Sequence, residues 1–320
     1  MSGVTVAVVG GAGVAAQLGK KGTVSDLTLF DSTHDGHHAT IVEPTHFPEK
    51  FAPLLAALGM ANRAVLVVEA LDRAVAEAIA TLELVDLPTL VLRGPAVGED
   101  ELGRALKGGR LASVPQLALD LPQLREMIDG WTVPPNPGTV LVPIDHAFPV
   151  KGVGAVALGV VRRGTLKSHE SLRLWPTERS VEVRSIQVHD VDVKEAATGE
   201  RVGVALKGVD TDELSRGQIL APAESLLAGR ELTAERLQRC RYYRGEWGTG
   251  SQMTIAIGTQ TAPVSVGPIT DLAVSLTTDR PVVYSAGSAA YLIDLNATGG
   301  PRIAGRLTLE TPAAPGHGPA

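Results

Sequence analysis

A break in pattern at residues 129–138, DGWTVPPNPG, limits this chain more than any other feature. Its three prolines cannot continue a helix or the interior of a sheet. Before it, strand-like and helix-like segments alternate; after it, helical spacing almost vanishes. The chain must therefore join an α/β domain to an all-β region.

In the first part, VTVAVVG reads as a buried parallel strand, VAAQLGKK as a short helix and SDLTLFD as a second strand. PEKFAPLLAALGMA carries apolar residues at helical spacing, RAVLVVEA is strand-like, RAVAEAIATLELV helical and PTLVLRG strand-like. EDELGRALKG and LPQLREMIDG read as helices. The expected fold of residues 1–130 is a doubly wound, mostly parallel sheet. Residues 131–138 are the linker. Short β-branched runs separated by Arg163-Gly164, Thr198-Gly199 and Arg216-Gly217 then predict a barrel over 139–223. A second β-barrel is expected over 224–310, with a turn of helix near 222–237, and a disordered tail over 311–320.

The 320 residues carry a net charge of −6, so any nucleic-acid contact needs a local basic patch. A single cysteine, Cys240, rules out an intrachain disulfide and suits a reducing cytoplasm. It has neither a CxxC spacing nor an evident base, so it reads as a structural thiol. No run reaches about 18 uninterrupted apolar residues, and the N-terminus lacks a signal-peptide pattern. Neither a membrane nor DNA is expected as a partner.

Residues 141–220 carry the most specific pattern. Pro143-Ile144, Phe148, Lys151-Gly152-Val153-Gly154, Gly159, Arg163-Gly164, Ser185-Ile186-Gln187, Ala196, Gly199, the run Val202 to Gly208 and Arg216-Gly217 occur in that order. This stretch resembles domain 2 of the translational GTPases, the elongation factor Tu superfamily, and PIDHAFPVKG is closer to the selenocysteine-specific factors. The resemblance implies a GTPase-like domain followed by two barrels, an archaeal-type translation elongation factor, and tRNA, the ribosome or a translation factor as partner.

The GTPase motifs themselves are missing. In GxxxxGK[ST], backbone N–H groups and a lysine hold phosphates while a hydroxyl holds Mg²⁺. The only Gly-Lys pair that could serve is Gly19-Lys20, and it puts Val14 at the first glycine and Lys21 at the hydroxyl. The family's DxxGH falls on VEPTHFPEK, with Val42 for the aspartate and Thr45 for the glycine. Its guanine-reading NKxD falls on Arg93-Gly94-Pro95-Ala96. A degenerate GTPase-like domain without hydrolysis and without a cofactor is the expected outcome, Gly10, Gly11 and Gly13 belonging to a loop kept for packing. Two rivals stand: an active GTP-binding elongation factor with an unusual loop, and a dinucleotide-binding protein. The latter rests on Gly11-Ala12-Gly13-Val14-Ala15-Ala16 after a strand, with Asp31 placed 20 residues on for a ribose hydroxyl.

Other clusters have weaker chemistry. HDGHH with His46 has histidines but no element to set ligand geometry, and reads as a mobile surface loop, not a metal site. Asp145, His146 and Phe148, with Arg201 facing them, match the family's pocket for the aminoacyl end of tRNA. The same residues could equally be an ion pair at the barrel mouth. Selenocysteine-specific factors carry a second arginine where this chain has His146, whose charge is partial at neutral pH. Arg236, Arg239, Arg241, Tyr242, Tyr243 and Arg244 suit an RNA-binding patch, arginines for the backbone and aromatics for bases. A solvated strand is the alternative. Arg162, Arg163 and Lys167 read as a solvated hairpin.

Overall fold

The computed structural model describes residues 3–34, 36–271 and 273–311, with Arg236 described by its backbone alone. The tail expected at 311–320 lies outside the described residues from 312 onward.

The α/β domain runs β1 (Val4–Val9), α1 (Val14–Leu18), β2 (Lys20–Val24), β3 (Thr28–His34), β4 (His37–Glu43), α2 (Ala52–Met60), β5 (Arg63–Val68), α3 (Arg73–Leu84), β6 (Thr89–Arg93), α4 (Glu99–Leu106), β7 (Gln116–Ala118) and α5 (Leu121–Asp129). The sheet order is β2-β3-β4-β1-β5-β6-β7. Strands β4, β1, β5, β6 and β7 pair in parallel, while β2–β3 and β3–β4 are antiparallel. Helices cover both faces: α1 and α5 on one, α2, α3 and α4 on the other. Helix starts follow side-chain chemistry. Asp72 accepts from the Val75 N–H at 2.8 Å and Asp120 from the Gln123 N–H at 3.0 Å, each satisfying an otherwise orphaned donor.

Three local expectations are corrected. The helix expected through Lys21 stops at Leu18, because Gly19 is extended and leads into edge strand β2. A Cβ on Gly19 would lie 2.8 Å from the Asp31 carbonyl oxygen, so only glycine lets the chain cross so close to β3. HDGHH is not an unstructured loop: His34 and His37 pair as the last rungs of the β3–β4 hairpin, and Asp35 lies outside the described residues. The helical turn expected near 222–237 is replaced by the thirteen-residue strand β17 (Leu227–Arg239). Its local propensity yields to pairing with two neighbouring strands.

The first barrel contains β8 (Val142–Val150), β9 (Gly154–Val160), β10 (Thr165–Lys167), β11 (Ser171–Trp175), β12 (Ser180–Val188), β13 (Val191–Val193), β14 (Glu195–Ala197), β15 (Arg201–Lys207) and β16 (Ile219–Ala221). Six strands close it in the order β11-β16-β8-β9-β15-β12, and β12 pairs back onto β11. The second barrel adds to β17 the strands β18 (Gln252–Ile257), β19 (Gln260–Ile269), β20 (Val274–Tyr284), β21 (Ala289–Ile293) and β22 (Ile303–Leu309), closed as β17-β20-β19-β18-β21-β22. Closure pairs each of the six ring strands on both sides, while β13 and the β10–β14 ribbon lie outside the first ring.

The barrels meet the α/β domain differently. Cys240, Ala256, Ile293 and Ile303 of the second barrel belong to the same apolar core as α2, α3 and α4. Burial pushes the Cys240 thiol above its ordinary pKa. Arg302 of the second barrel grips buried Glu77 of α3 through its backbone N–H at 2.8 Å and its Nε at 2.9 Å. The first barrel adds Val160 to that core and otherwise docks through polar contacts. Arg162, expected in solvent, donates to the Met60 and Ala61 carbonyls at 3.0 and 2.8 Å and caps the C-terminal end of α2. Desolvation there pulls its pKa down to about 10. Among the described residues no helix is long and apolar enough to cross a membrane.

Candidate functional site

In parallel sheets ligands bind beyond the C-terminal strand ends. Here that corner is built by the loop 10–13 after β1. Gly10, Gly11 and Gly13 all have positive φ. The loop is pressed against β5: a Cβ on Gly10 would meet the Val67 carbonyl oxygen at 2.3 Å, and one on Gly11 the Val67 side chain at 2.5 Å. Gly19 and Lys20 stand after α1, not before it, so the lysine of the phosphate-loop alignment sits on edge strand β2, paired with Asp31. The guanine-reading position is likewise occupied: Arg93 folds back to donate to the Val97 carbonyl at 2.9 Å. Gly10→Ala is expected to cost about 1–3 kcal/mol in thermal unfolding, because alanine must adopt the strained φ and clash with β5; an unchanged Tm would count against the packing role.

The dinucleotide spacing does not assemble. Asp31 pairs with Thr40, and Thr40 with Thr5, near the start of β1. It thus lies roughly 17 Å along the strand direction from Gly10, at about 3.3 Å per residue. β4 also separates β3 from β1.

A cleft of about 1120 Å³ opens between β2–β3 and the first barrel. Lys20, Lys21 and Asp31 stand on one wall; Phe148, His189 and Arg201 stand on the other. Phe148 is exposed. Beneath Arg201 lies Asp145, fully buried. The β8–β9 register shifts between Ile144 and His146, and this bulge buries Asp145 as well as its neighbour Ile144. Its Oδ1 accepts from Arg201 Nη2 and from His146 Nδ1, both at 2.9 Å, while Oδ2 has no partner among the described residues. Burial alone would raise the Asp145 pKa; Arg201 and His146 outweigh it and hold the carboxyl below the usual range. Three of the four predicted pocket residues therefore meet in one cluster, and Phe148 stands on the cleft wall.

Sequence reasoning missed the contacts that join the two domains beside this cleft. Arg216 bridges the domains: it donates to the Asp145 carbonyl at 3.3 Å and to Ser25 at 3.1 Å, and pairs with Asp26 at 2.7 Å. His189 stacks on His38 with ring centroids 4.5 Å apart, joining the two domains. Burial, then the nearby His38, lowers the His189 pKa. In the sequence Arg216 reads as a turn signal and a barrel landmark; nothing in its local pattern names a partner about 190 residues away.

On the second barrel the predicted patch is only partly free. Trp247 is buried in the core and Tyr243 donates to Asp294 at 2.7 Å. Arg239 covers the Trp247 ring and Arg241 the Tyr242 ring. Arg244 is exposed, and the Arg236 side chain lies outside the described set.

Comparison with known proteins agrees with this architecture. The family model "Elongation factor Tu domain 2" matches residues 154–221. An uncharacterised protein of Methanocaldococcus jannaschii is 33% identical over 297 residues, covering 92% of this chain and 96% of the relative. The selenocysteine-specific elongation factor of the same organism is 26% identical over 273 residues, covering 78% of this chain and 58% of that protein. The crystal structure of translation elongation factor SelB from Methanococcus maripaludis, in complex with the GTP analogue GppNHp, superposes with a TM-score of 0.85. It is 19% identical and covers 97% of this chain and 79% of that one. The chain belongs to the translational GTPase superfamily and is SelB-like. It is a translation elongation factor-like protein.

Proposed function

We propose that this protein binds tRNA, the ribosome or a translation-factor partner in the cytoplasm and does not hydrolyse GTP. The observation that carries the reading is the loop 10–13: Gly10 and Gly11 serve close packing on Val67, and Lys20 lies on the far side of α1. With no lysine in the loop and no hydroxyl after it, little remains to neutralise a triphosphate or hold Mg²⁺. The barrels supply the binding surfaces instead. Arg201, held from beneath by buried Asp145, and exposed Phe148 give the cleft a cationic and an apolar contact for the end of an aminoacylated RNA.

Titration of the purified chain with fluorescent GDP and GTP in the presence of Mg²⁺, with NADH as control, tests the first half. No saturable binding in the micromolar range is expected for any of the three. Micromolar guanine-nucleotide binding would make it a cycling GTPase, and NADH binding abolished by Asp31→Ala a dinucleotide protein. Failure to bind either RNA or ribosomes at low salt would sink the second half.

A further inference from the structure

The seam between the second barrel and the α/β domain holds a groove of about 390 Å³. Four arginines line it: Arg110 after α4, Arg239 at the end of β17, Arg241 in the following turn and Arg306 on β22. Two carboxylates reach the same space. Glu83 is already engaged, accepting from the backbone N–H groups of Arg110 and Leu111. That leaves Asp86. Among the described residues Arg239, Arg241 and Arg306 form no ion pair. Four guanidiniums against two carboxylates leave a positive groove on a chain whose net charge is −6.

The arginines are held in place. Arg239 lies 4.3 Å from the centre of the Trp247 ring and Arg241 4.4 Å from that of Tyr242. Arg241 also donates to the Lys107 carbonyl at 2.8 Å, and Arg306 to that of Leu84 at 3.4 Å. Arg110 caps the end of α3 through the Leu82 and Val85 carbonyls, yet its buried Nε has no partner. A guanidinium braced on a ring loses less entropy when it binds an oxyanion. The same stacking covers the ring faces that a base would need.

We infer that this groove is a phosphodiester site that takes the backbone of an RNA and reads no base. The inference rests on the reading that the chain binds RNA, and adds where and how. Guanidinium forks match pairs of phosphate oxygens, and the contacts are blind to sequence.

The test uses the full chain and two short RNA duplexes of unrelated sequence, titrated by fluorescence anisotropy across a salt series. Wild type is expected to bind both alike, with affinity falling steeply as salt rises. The combined Arg239→Gln, Arg241→Gln, Arg306→Gln variant should bind at least about tenfold more weakly, with a salt slope shallower by about 2–3. A charge-matched control, Lys167→Gln, Lys194→Gln, Lys207→Gln on the first barrel, should change much less, and thermal unfolding checks that both variants fold. If the groove variant behaves like wild type or like the control, the groove is not the site, although RNA binding survives. Strong preference of the wild type for one duplex overturns backbone-only recognition. Stabilisation by inorganic pyrophosphate that the groove variant loses, without RNA binding, would assign the groove to a small phosphate and overturn the RNA assignment. No RNA binding by wild type, with no such effect, removes the underlying reading itself.

Discussion

Glu77→Ala is expected to destabilise the protein by about 3–5 kcal/mol, read as a lower midpoint in chemical denaturation. Glu77 lies in α3, 4% exposed, and accepts from the backbone N–H and the side chain of Arg302. Arg302 also donates to the Pro48 carbonyl at 2.7 Å and stands over the Phe51 ring. Removing the carboxylate leaves a half-buried guanidinium facing an apolar seam with nothing to balance it, and that desolvation is the main cost. The apolar exchange Glu77→Leu with Arg302→Met should recover most of the loss, because no charge is then stranded. The contact joins the second barrel to the α/β domain, so the single variant should also release that barrel first, seen as faster hydrogen exchange of β22. A double variant no more stable than Glu77→Ala would mean that the pair is not the source of the effect.

Asp145→Ala is the second large effect, again about 3–5 kcal/mol, because it leaves Arg201 buried without its counter-charge. Its pH dependence has a defined sign. The folded-state pKa of Asp145 lies below its unfolded value, since Arg201 and His146 outweigh desolvation. The carboxylate therefore contributes stability that is fully present above the unfolded pKa of about 4 and is lost as pH falls through the folded pKa. The wild type should lose stability on acidification below about pH 4, and part of that acid limb should be missing in Asp145→Asn. If the two acid limbs coincide, Asp145 is not ionised in the native cluster. The same variant should weaken any ligand that uses the cleft, since Arg201 loses the carboxylate that orients it.

Much of the architecture was legible in residue pattern. Alternating periods announced the α/β domain, Pro134, Pro135 and Pro137 its end, and the ordered landmarks from Pro143 to Gly217 the first barrel. The failed positions at Val14, Lys21, Val42 and Thr45 were equally visible. Edge strand β2 was not: KKGTV looks like a helix end and a turn, and only pairing with β3 makes it a strand. The cleft residues were legible one by one, through a resemblance, but their grouping was not.

By itself the sequence determined the order of domains, most strands of the two barrels, and the departures from the nucleotide motifs. These follow from period, turn residues and motif spacing, which are local properties of the chain. The tertiary structure alone decided which charges meet. Arg302 finds Glu77 across 225 residues, and Arg216 finds Ser25 across 191. It also turned aromatics that look like base-stacking platforms into supports for arginines. Such pairings depend on domain packing, which buries apolar surface whose partners no local window contains.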